Sequence, residues 1–214
     1  MRVEIWSDVV CPWCYVGHRR FGEAAERAGD VEVTYRAFEL DPTVPPSGEP
    51  LDAYLARKFG GPAAVSAAHD RLARIGADAG IEFRWQAKRR VNTFDAHRLS
   101  AWSLAAGGPE AQARVIRSLF RAYFTDNADV ADHRVLTRLA GDAGLDADEA
   151  GEVLARGAFT DAVRADERAA AERDIHAVPT FVVEDRWMVP GAQDVDTFVR
   201  VLDRAAERLA QDPG

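Results

Sequence analysis

The two cysteines of the chain, Cys11 and Cys14, stand three positions apart in the segment "VCPWC" of residues 10–14. A pair at this spacing suits either reversible disulfide exchange or half of a zinc site. His18 follows Cys14 by four positions and supplies a third candidate zinc ligand. A structural zinc site normally has four ligands, and the sequence contains no second CxxC pair. We therefore favour redox chemistry and keep zinc binding as an alternative.

The position of the pair between two predicted elements gives the two sulfur atoms different roles. Residues 2–8 have the pattern of a strand, and apolar residues recur at helical spacing from Cys14 to Ala28. The first turn of a helix has unpaired N–H groups that stabilise a thiolate, and Pro12 suits the first helical position. We expect Cys11 to be an exposed attacking thiolate and Cys14 to be a buried resolving thiol.

Further strand patterns lie near both ends of the chain. Residues 31–38, "VEVTYRAF", are rich in β-branched and aromatic residues and predict a second strand, parallel to the first. "TFVV" at 180–183 and "RWMV" at 186–189 predict a hairpin, which a helix with one apolar face should follow. Residues 40–50 contain four prolines and predict a loop, and residues 81–85 predict a short extended piece.

The segment between these strands has a different pattern. Residues 41–175 are mostly helical in spacing and rich in Ala, Arg and Asp, with Asp132 as the predicted N-cap of one amphipathic helix. The strand-bearing segments are 1–40 and 176–214. The chain is therefore predicted to be a small α/β domain that is split by a helical insertion.

Composition and charge exclude some classes of function. The net charge of −8 and the pI of about 5.2 disfavour a non-specific nucleic-acid binder, which normally presents a basic face. No apolar run approaches the roughly 18 residues of a membrane span, and the N-terminus lacks the pattern of a secretory signal. We therefore expect a cytoplasmic protein without a membrane partner. In a reducing compartment a lone cysteine pair is not expected to form a disulfide that stabilises the fold.

An ordered set of segments carries a resemblance to a known family. These segments are "SDVVCPWCYVGHRRF", "VNTFDAHRL", "GLDADEAGEVL", "AVPTFVV" and "VPGAQ", and they run from residue 7 to residue 193. A CxxC at a strand-to-helix junction, a helical insertion and a late Val-Pro-Thr before a hairpin together resemble the DsbA-like thioredoxin family. Within it, the chain looks most like the FrnE-like subgroup of cytoplasmic dithiol oxidoreductases. The resemblance implies a thioredoxin-like domain, 1–40 with 176–214, interrupted by a helical domain, 41–175.

The resemblance also implies roles for individual residues. Cys11 becomes the nucleophile, Cys14 the resolving thiol, and Pro179 a cis-proline that packs against them. The backbone of Val178 would pair with an extended substrate or a thiol cofactor, as an added strand does. His97 falls in a family motif without an assigned role. The candidate substrate-binding residues are Pro12, Trp13, Val178, Gln193 and Asn92.

The same resemblance implies the partners and the redox character. The substrate would be a disulfide-containing protein or a small-molecule thiol, no prosthetic group is required, and the relatives suggest a homodimer. DsbA-type oxidants have Pro-His between the cysteines, and the histidine helps to stabilise the thiolate. Because Trp13 stands in that position, we expect a couple that is less oxidising than that of DsbA.

A second function stays open beside disulfide chemistry. The nearest relatives of the subgroup are kappa-class glutathione transferases and 2-hydroxychromene-2-carboxylate isomerases, which use glutathione and typically carry serine at the position of Cys11. A thiol-dependent transferase or isomerase is therefore the alternative, although the presence of both cysteines favours disulfide exchange.

Several residues near the cysteines or the hairpin can be interpreted either as functional or as structural. Asp8 could tune proton transfer, but an Asx turn that closes the first strand is the preferred interpretation. Trp6 and Trp187 could line a substrate groove or pack in the core, and Trp13 is the better candidate for a substrate contact. His176 is expected on the surface or in a loop.

Overall fold

The computed structural model describes residues 1–45, 48–86 and 88–211. The strands of the main sheet lie near the two ends of the chain, and the middle of the chain is mostly helical. The elements are, in chain order, β1 (Arg2–Ser7), α1 (Pro12–Ala28), β2 (Glu32–Ala37), β3 (Glu49–Pro50), α2 (Leu51–Phe59), α3 (Pro62–Asp78), β4 (Arg89–Arg90), α4 (Phe94–Phe124), α5 (His133–Asp142), α6 (Ala147–Ala155), α7 (Thr160–Glu172), β5 (Thr180–Val183), β6 (Trp187–Pro190) and α8 (Val195–Gln211).

The main sheet has the strand order β2-β1-β5-β6. β1 and β2 are parallel, as the strand–helix–strand pattern predicted, and β5 pairs antiparallel with both β1 and β6. The predicted hairpin is confirmed, although its second strand begins at Trp187, one residue later than expected. Glu184 and Asp185 take positive φ angles, and the N–H of Arg186 donates to the carbonyl of Val183, so Arg186 belongs to the turn.

Apolar side chains cover both faces of this sheet because successive strand residues point to opposite sides. On one face, Ile5 and Phe181 pack in the main core, where Phe21 of α1 and Phe198 of α8 meet edge to face with ring centroids 5.2 Å apart. On the other face, Trp6 and Val182 pack in a smaller cluster with Ala170 and Ile175, at the end of α7. The sheet therefore lies between two buried apolar layers, and α1 packs in the larger one.

Capping residues set the starts of the short helices. Asp132 accepts a hydrogen bond from the N–H of Arg134 at the start of α5, as predicted, and Asp146 accepts from two N–H groups at the start of α6. The long helix α4 is kinked where Gly108, with φ 73°, precedes Pro109.

The predicted extended piece at residues 81–85 does not join a sheet. The N–H of Arg84 donates to the carbonyl of Phe124 at the end of α4, so this backbone group satisfies a helix terminus and not a strand partner. The short strand pairing of the region lies elsewhere, between Glu49–Pro50 and Arg89–Arg90. The proline-rich loop therefore ends in two paired residues.

A buried lysine completes the end of α4. Lys88 is 3 % exposed, and its ammonium donates to the carbonyl of Tyr123 and to Asn127 Oδ1, the latter at 3.4 Å. The same ammonium lies 4.4 Å from the centroid of the Tyr123 ring. A cation at a helix C-terminus is favourable, but burial lowers the pKa of Lys88 from 10.5 to about 8.

This lowered pKa predicts a pH dependence of stability. Between pH 8 and 10.5 the unfolded chain holds a proton on Lys88 that the folded chain has released, so Lys88 contributes an increase of the free energy of unfolding with pH. The raised pKa of Cys14 contributes a decrease in the upper part of this window. The slope from one such group approaches about 1.4 kcal/mol per pH unit. Urea unfolding across this window should show that Lys88→Met loses the positive contribution of Lys88 to the pH slope. Lys58→Met removes the chain's other lysine, which is exposed. This control variant should keep the pH slope of the unmodified chain. Equal slopes in both variants would contradict the prediction.

Among the residues that the structure describes, no helix is both long enough and apolar enough to cross a membrane.

Candidate active site

Cys11 is the N-cap residue of α1. Its backbone is extended, with φ −87° and ψ 114°, and its sulfur accepts a hydrogen bond from the N–H of Cys14 at 3.4 Å. Pro12 takes the first helical position, as predicted. The Cys11 sulfur therefore lies at the positive end of the helix dipole and faces an N–H donor.

Both cysteines are buried. Cys11 is 4 % exposed and Cys14 is 2 % exposed, and the two are not joined by a disulfide. The prediction of an exposed Cys11 is wrong because α2, α3 and the segment before α4 form walls above the N-terminus of α1. Burial, followed by the hydrogen bond and charge of Cys11, raises the pKa of Cys14 well above its ordinary value. Cys14 therefore keeps its proton at neutral pH.

The segment before β5 lies against the sulfur of Cys11. The Val178–Pro179 peptide bond is cis, which confirms the prediction for this bond, and Pro179 is buried. The Cys11 sulfur donates to the carbonyl oxygen of Val178 at 3.8 Å. The N–H of Gly191 donates to the carbonyl of Pro179 at 2.8 Å, so the loop after β6 reaches the same place. Chain segments from residues 11, 178 and 191 thus meet at one point.

A cavity of about 500 Å³ opens from this point. Three of the predicted site residues besides Cys11 line it, namely Pro12, Trp13 and Val178. Its other walls come mainly from the helical middle of the chain and are mostly apolar. These residues include Leu40, Val44, Leu51, Tyr54, Leu55, Val65, Leu72, Trp85, Val91, Tyr123 and Phe124. A concave apolar space of this size beside a thiol is typical of a small-molecule site.

Sequence reasoning missed the walls of the cavity. Val65, Ala68 and Leu72 face it from one side of α3, at the helical spacing of three and four residues. That spacing predicts an apolar helix face, but it does not say whether the face packs in a core or lines a cavity. Trp13 lies at the rim, 37 % exposed, with the Arg71 guanidinium 6.0 Å from its ring centroid.

Two predicted substrate-binding residues have other contacts in the structure. Asn92 Oδ1 accepts a hydrogen bond from the N–H of Phe94 at the start of α4, and Gln193 Nε2 donates to the carbonyl of Pro190 at 2.6 Å. The described residues that line the cavity do not include either of them. Their part in substrate binding stays a prediction.

Asp8 lines the cavity and belongs to a buried acid–base cluster. Its carboxylate accepts from the N–H of Val10 at 3.4 Å, as in the predicted Asx turn, and from the N–H of Leu40 at 2.8 Å. His97 Nε2 lies 3.5 Å from Asp8 Oδ1. Burial acts to lower the pKa of His97, but the facing Asp8 and the charges of Glu39 and Glu167 raise it.

The other residues with open interpretations belong to the core or the surface. His18 Nδ1 lies 2.5 Å from Tyr35 Oη, and burial lowers the pKa of His18 to about 3. Trp6 is 1 % exposed and donates from Nε1 to the carbonyl of Asp166 at 3.3 Å, so it packs in the core. His176 is exposed and bonds to Asp174. Within the three described ranges, no group of three or more His, Cys, Asp or Glu side chains is arranged to hold a metal ion.

Gly17 lets α1 lie close to the cis-proline. A Cβ atom at Gly17 would lie 3.0 Å from Pro179 Cγ and 3.2 Å from Phe181 Cζ, whereas a Cβ atom at Gly22 of the same helix would meet nothing within 4 Å. We expect Gly17→Ala to lower stability by about 1–2 kcal/mol, since overpacking outweighs the gain in helix propensity. We expect Gly22→Ala to raise it by about 0.5–1 kcal/mol.

Urea unfolding and the rate of thiol–disulfide exchange together check this pair of variants. Gly17→Ala should also slow exchange at Cys11, because the substitution displaces Pro179 and with it the adjoining Val178 carbonyl, which lies 3.8 Å from the Cys11 sulfur. Gly22→Ala should exchange at the rate of the unmodified chain. Equal stabilisation by both substitutions would show that the α1–Pro179 contact is not tight.

Comparison with known proteins places this geometry in a family. A family model described as a DSBA-like thioredoxin domain matches residues 2–203. The crystal structure of a probable DsbA oxidoreductase from Streptomyces coelicolor is 39 % identical, with a TM-score of 0.89 over 97 % of this chain and 90 % of that chain.

Two more distant structures share the fold. The cytosolic disulfide reductase DsbM from Pseudomonas aeruginosa, solved with GSH, is 18 % identical to this chain. Its TM-score is 0.70, and the match covers 97 % of this chain and 100 % of that chain. A 2-hydroxychromene-2-carboxylate isomerase is 19 % identical, with a TM-score of 0.72 over 100 % of this chain and 98 % of that chain. The cysteine pair at the start of α1, the sheet with its helical middle segment and the match over residues 2–203 agree, and the chain belongs to the DSBA-like thioredoxin family.

Proposed function

We propose that the protein is a cytoplasmic thiol–disulfide oxidoreductase that reduces or isomerises disulfides with Cys11 and Cys14. The observation that carries this proposal is the Cys11 sulfur, which accepts the N–H of Cys14 at the start of α1 and lies 3.8 Å from the Val178 carbonyl. Membership of the DSBA-like family supports it, and so does the similarity to a probable DsbA oxidoreductase from Streptomyces coelicolor. The cytosolic disulfide reductase with the same fold supports the cytoplasmic setting.

The reaction has two exchange steps. The Cys11 thiolate attacks one sulfur of a substrate disulfide, which forms a mixed disulfide and releases the first substrate thiolate. Cys14, once it has lost its proton, then attacks the Cys11 sulfur and releases the second thiolate. The substrate gains two electrons, and the protein is left with a Cys11–Cys14 disulfide. A cellular thiol must then reduce that disulfide for the next cycle.

An equilibrium redox titration tests the proposal. Protein equilibrated in thiol buffers of defined potential is alkylated and analysed by mass spectrometry. A single two-electron transition is the expected result. A midpoint near about −270 mV would indicate a reductase, and one between about −180 and −120 mV would indicate an isomerase or oxidant. Failure to form an intramolecular disulfide at any accessible potential would overturn the proposal.

The cavity beside Cys11 favours one second candidate, a thiol-dependent transferase or isomerase. Such an enzyme needs room for a small organic substrate next to the sulfur of a bound thiol, and the cavity of about 500 Å³ provides that room. The isomerase with the same fold makes this chemistry the natural comparison. Both cysteines are present at the helix start, however, and a dithiol is the requirement of disulfide exchange.

A further inference from the structure

The burial of Cys11 restricts which disulfides can reach it. Its 4 % exposure leaves little of the residue open to bulk solvent, and its nearest open space is the apolar cavity. A disulfide that reacts with Cys11 must bring a sulfur atom into line with the attacking sulfur. At least one of the two groups attached to that disulfide must therefore enter the cavity.

The walls of the cavity favour an apolar group over a polypeptide chain. Tyr54 and Leu55 of α2, Val65 and Leu72 of α3, and the ring of Trp85 present hydrocarbon and aromatic surface. A polypeptide segment in such a place would leave backbone N–H and C=O groups without partners, which is costly. An aromatic or alkyl group has no such groups and gains from leaving water. The cavity is also the size of a small organic molecule.

Among the residues that the structure describes, one cation on the α2 wall has no carboxylate partner. Arg90, also at the cavity, is paired with Asp41 and with Glu49. Lys58 instead donates to Tyr54 Oη at 3.2 Å and lies over the rings of Tyr54 and Phe59. Within the part of the chain that the structure describes, Lys58 forms no ion pair. An acidic group on the bound molecule would complement this ammonium.

We propose, on the basis of the oxidoreductase function above, that the substrate is a small organic disulfide whose sulfur-bearing group is aromatic and acidic. The Cys11 thiolate attacks the sulfur whose aromatic group occupies the cavity, and the partner thiolate departs. Cys14 then displaces the aromatic thiolate from Cys11. The substrate disulfide is reduced to two thiols, the protein is oxidised to the Cys11–Cys14 disulfide, and a low-molecular-mass cellular thiol restores the dithiol.

The test compares the reduced full-length protein with a short peptide that contains "CPWC". The probes are 5,5′-dithiobis(2-nitrobenzoate), which is aromatic and acidic, 4,4′-dithiodipyridine, which is aromatic and uncharged, and insulin as a protein disulfide. Each rate constant is divided by that of the peptide with the same probe, which removes the intrinsic reactivity of the disulfide. The normalised rate for the aromatic acid should exceed that for insulin by about tenfold or more, as a filled apolar pocket provides.

Variants of α3 show whether the cavity is responsible. Ala64 and Ala68 line it one helical turn apart, and Ala67 of the same helix is exposed and does not. Ala68→Trp and Ala64→Trp should each remove the advantage of the aromatic acid, whereas Ala67→Trp should keep it. Circular dichroism shows whether each variant is folded. If Ala68→Trp does not fold, Ala64→Trp still tests the cavity. Lys58→Gln should slow the reaction with the acidic probe and leave that with dithiodipyridine unchanged.

The outcomes separate this inference from the proposed function. If insulin reacts with an equal or higher normalised rate, or if both folded tryptophan variants react like Ala67→Trp, the substrate class is wrong while the oxidoreductase function stands. If Lys58→Gln slows both aromatic probes equally, the acidic group is wrong. If the folded, reduced protein exchanges with none of the three disulfides, the proposed function itself fails.

Discussion

Cys11→Ser is expected to lower the rate of disulfide reduction by about a thousandfold or more. A serine hydroxyl stays protonated at neutral pH and cannot form a mixed disulfide, so the first exchange step is lost. Cys14→Ser is expected to leave that first step intact, because the Cys11 sulfur still accepts the backbone N–H at position 14. This variant should stop at a covalent mixed disulfide on Cys11 after the release of one substrate thiol.

Mass spectrometry of each variant after exposure to a disulfide distinguishes these outcomes. Cys14→Ser should carry the mass of one substrate thiol, which a reductant removes, and Cys11→Ser should carry none. An adduct on Cys14 in the Cys11→Ser protein would reverse the two assigned roles. Cys11→Ser also separates the two candidate functions, since the glutathione-using relatives typically carry serine at this position. Retained transferase or isomerase activity in that variant would favour the second candidate.

Arg98→Met is expected to destabilise the fold by about 3–5 kcal/mol. Arg98 is 4 % exposed, and its guanidinium donates to the carbonyls of Ala158, Val153 and Leu154 and to Asp95 Oδ1, at distances of 2.6–3.1 Å. Two of these carbonyls end α6, so one side chain from α4 caps a neighbouring helix. Methionine keeps much of the volume but removes the charged donor from all four acceptors. The Val153 and Leu154 carbonyls keep the backbone N–H groups of Ala158 and Gly157. A hydrogen bond to a charged group contributes about 1.5–3 kcal/mol.

A surface arginine provides the matched control for this prediction. Arg156 pairs with Glu152 on α6 at 2.9 Å, with side chains 75 % and 64 % exposed. Arg156→Met should change the free energy of unfolding by no more than about 0.5 kcal/mol, since exposed pairs contribute little. Arg98→Lys should recover only part of the loss, because one ammonium cannot reach carbonyls on both sides of the guanidinium. Urea unfolding that shows similar values for Arg98→Met and Arg156→Met would contradict the capping role.

Features that depend on neighbouring residues in the chain could be predicted from the sequence. The spacing of Cys11 and Cys14, the proline between them and the strand before them predicted a dithiol at a helix start. The strand–helix–strand pattern predicted the parallel pair β1 and β2, and Asp132 predicted the start of a helix. Each helix or strand was predicted from residues that are close together in the chain, because backbone geometry links a residue type directly to a local conformation.

The enclosure of the site could not be predicted from the sequence, because it depends on how α2 and α3 pack. An apolar face on α3 is compatible with a packed core or with an open cavity, and only the placement of α2 and α3 above α1 shows that Cys11 lies buried beside a cavity. The meeting of Asp8 with His97, and of Arg98 with the end of α6, joins residues far apart in sequence. Burial and such distant contacts depend on how whole elements pack, and local patterns do not carry that information because many arrangements would satisfy the same pattern.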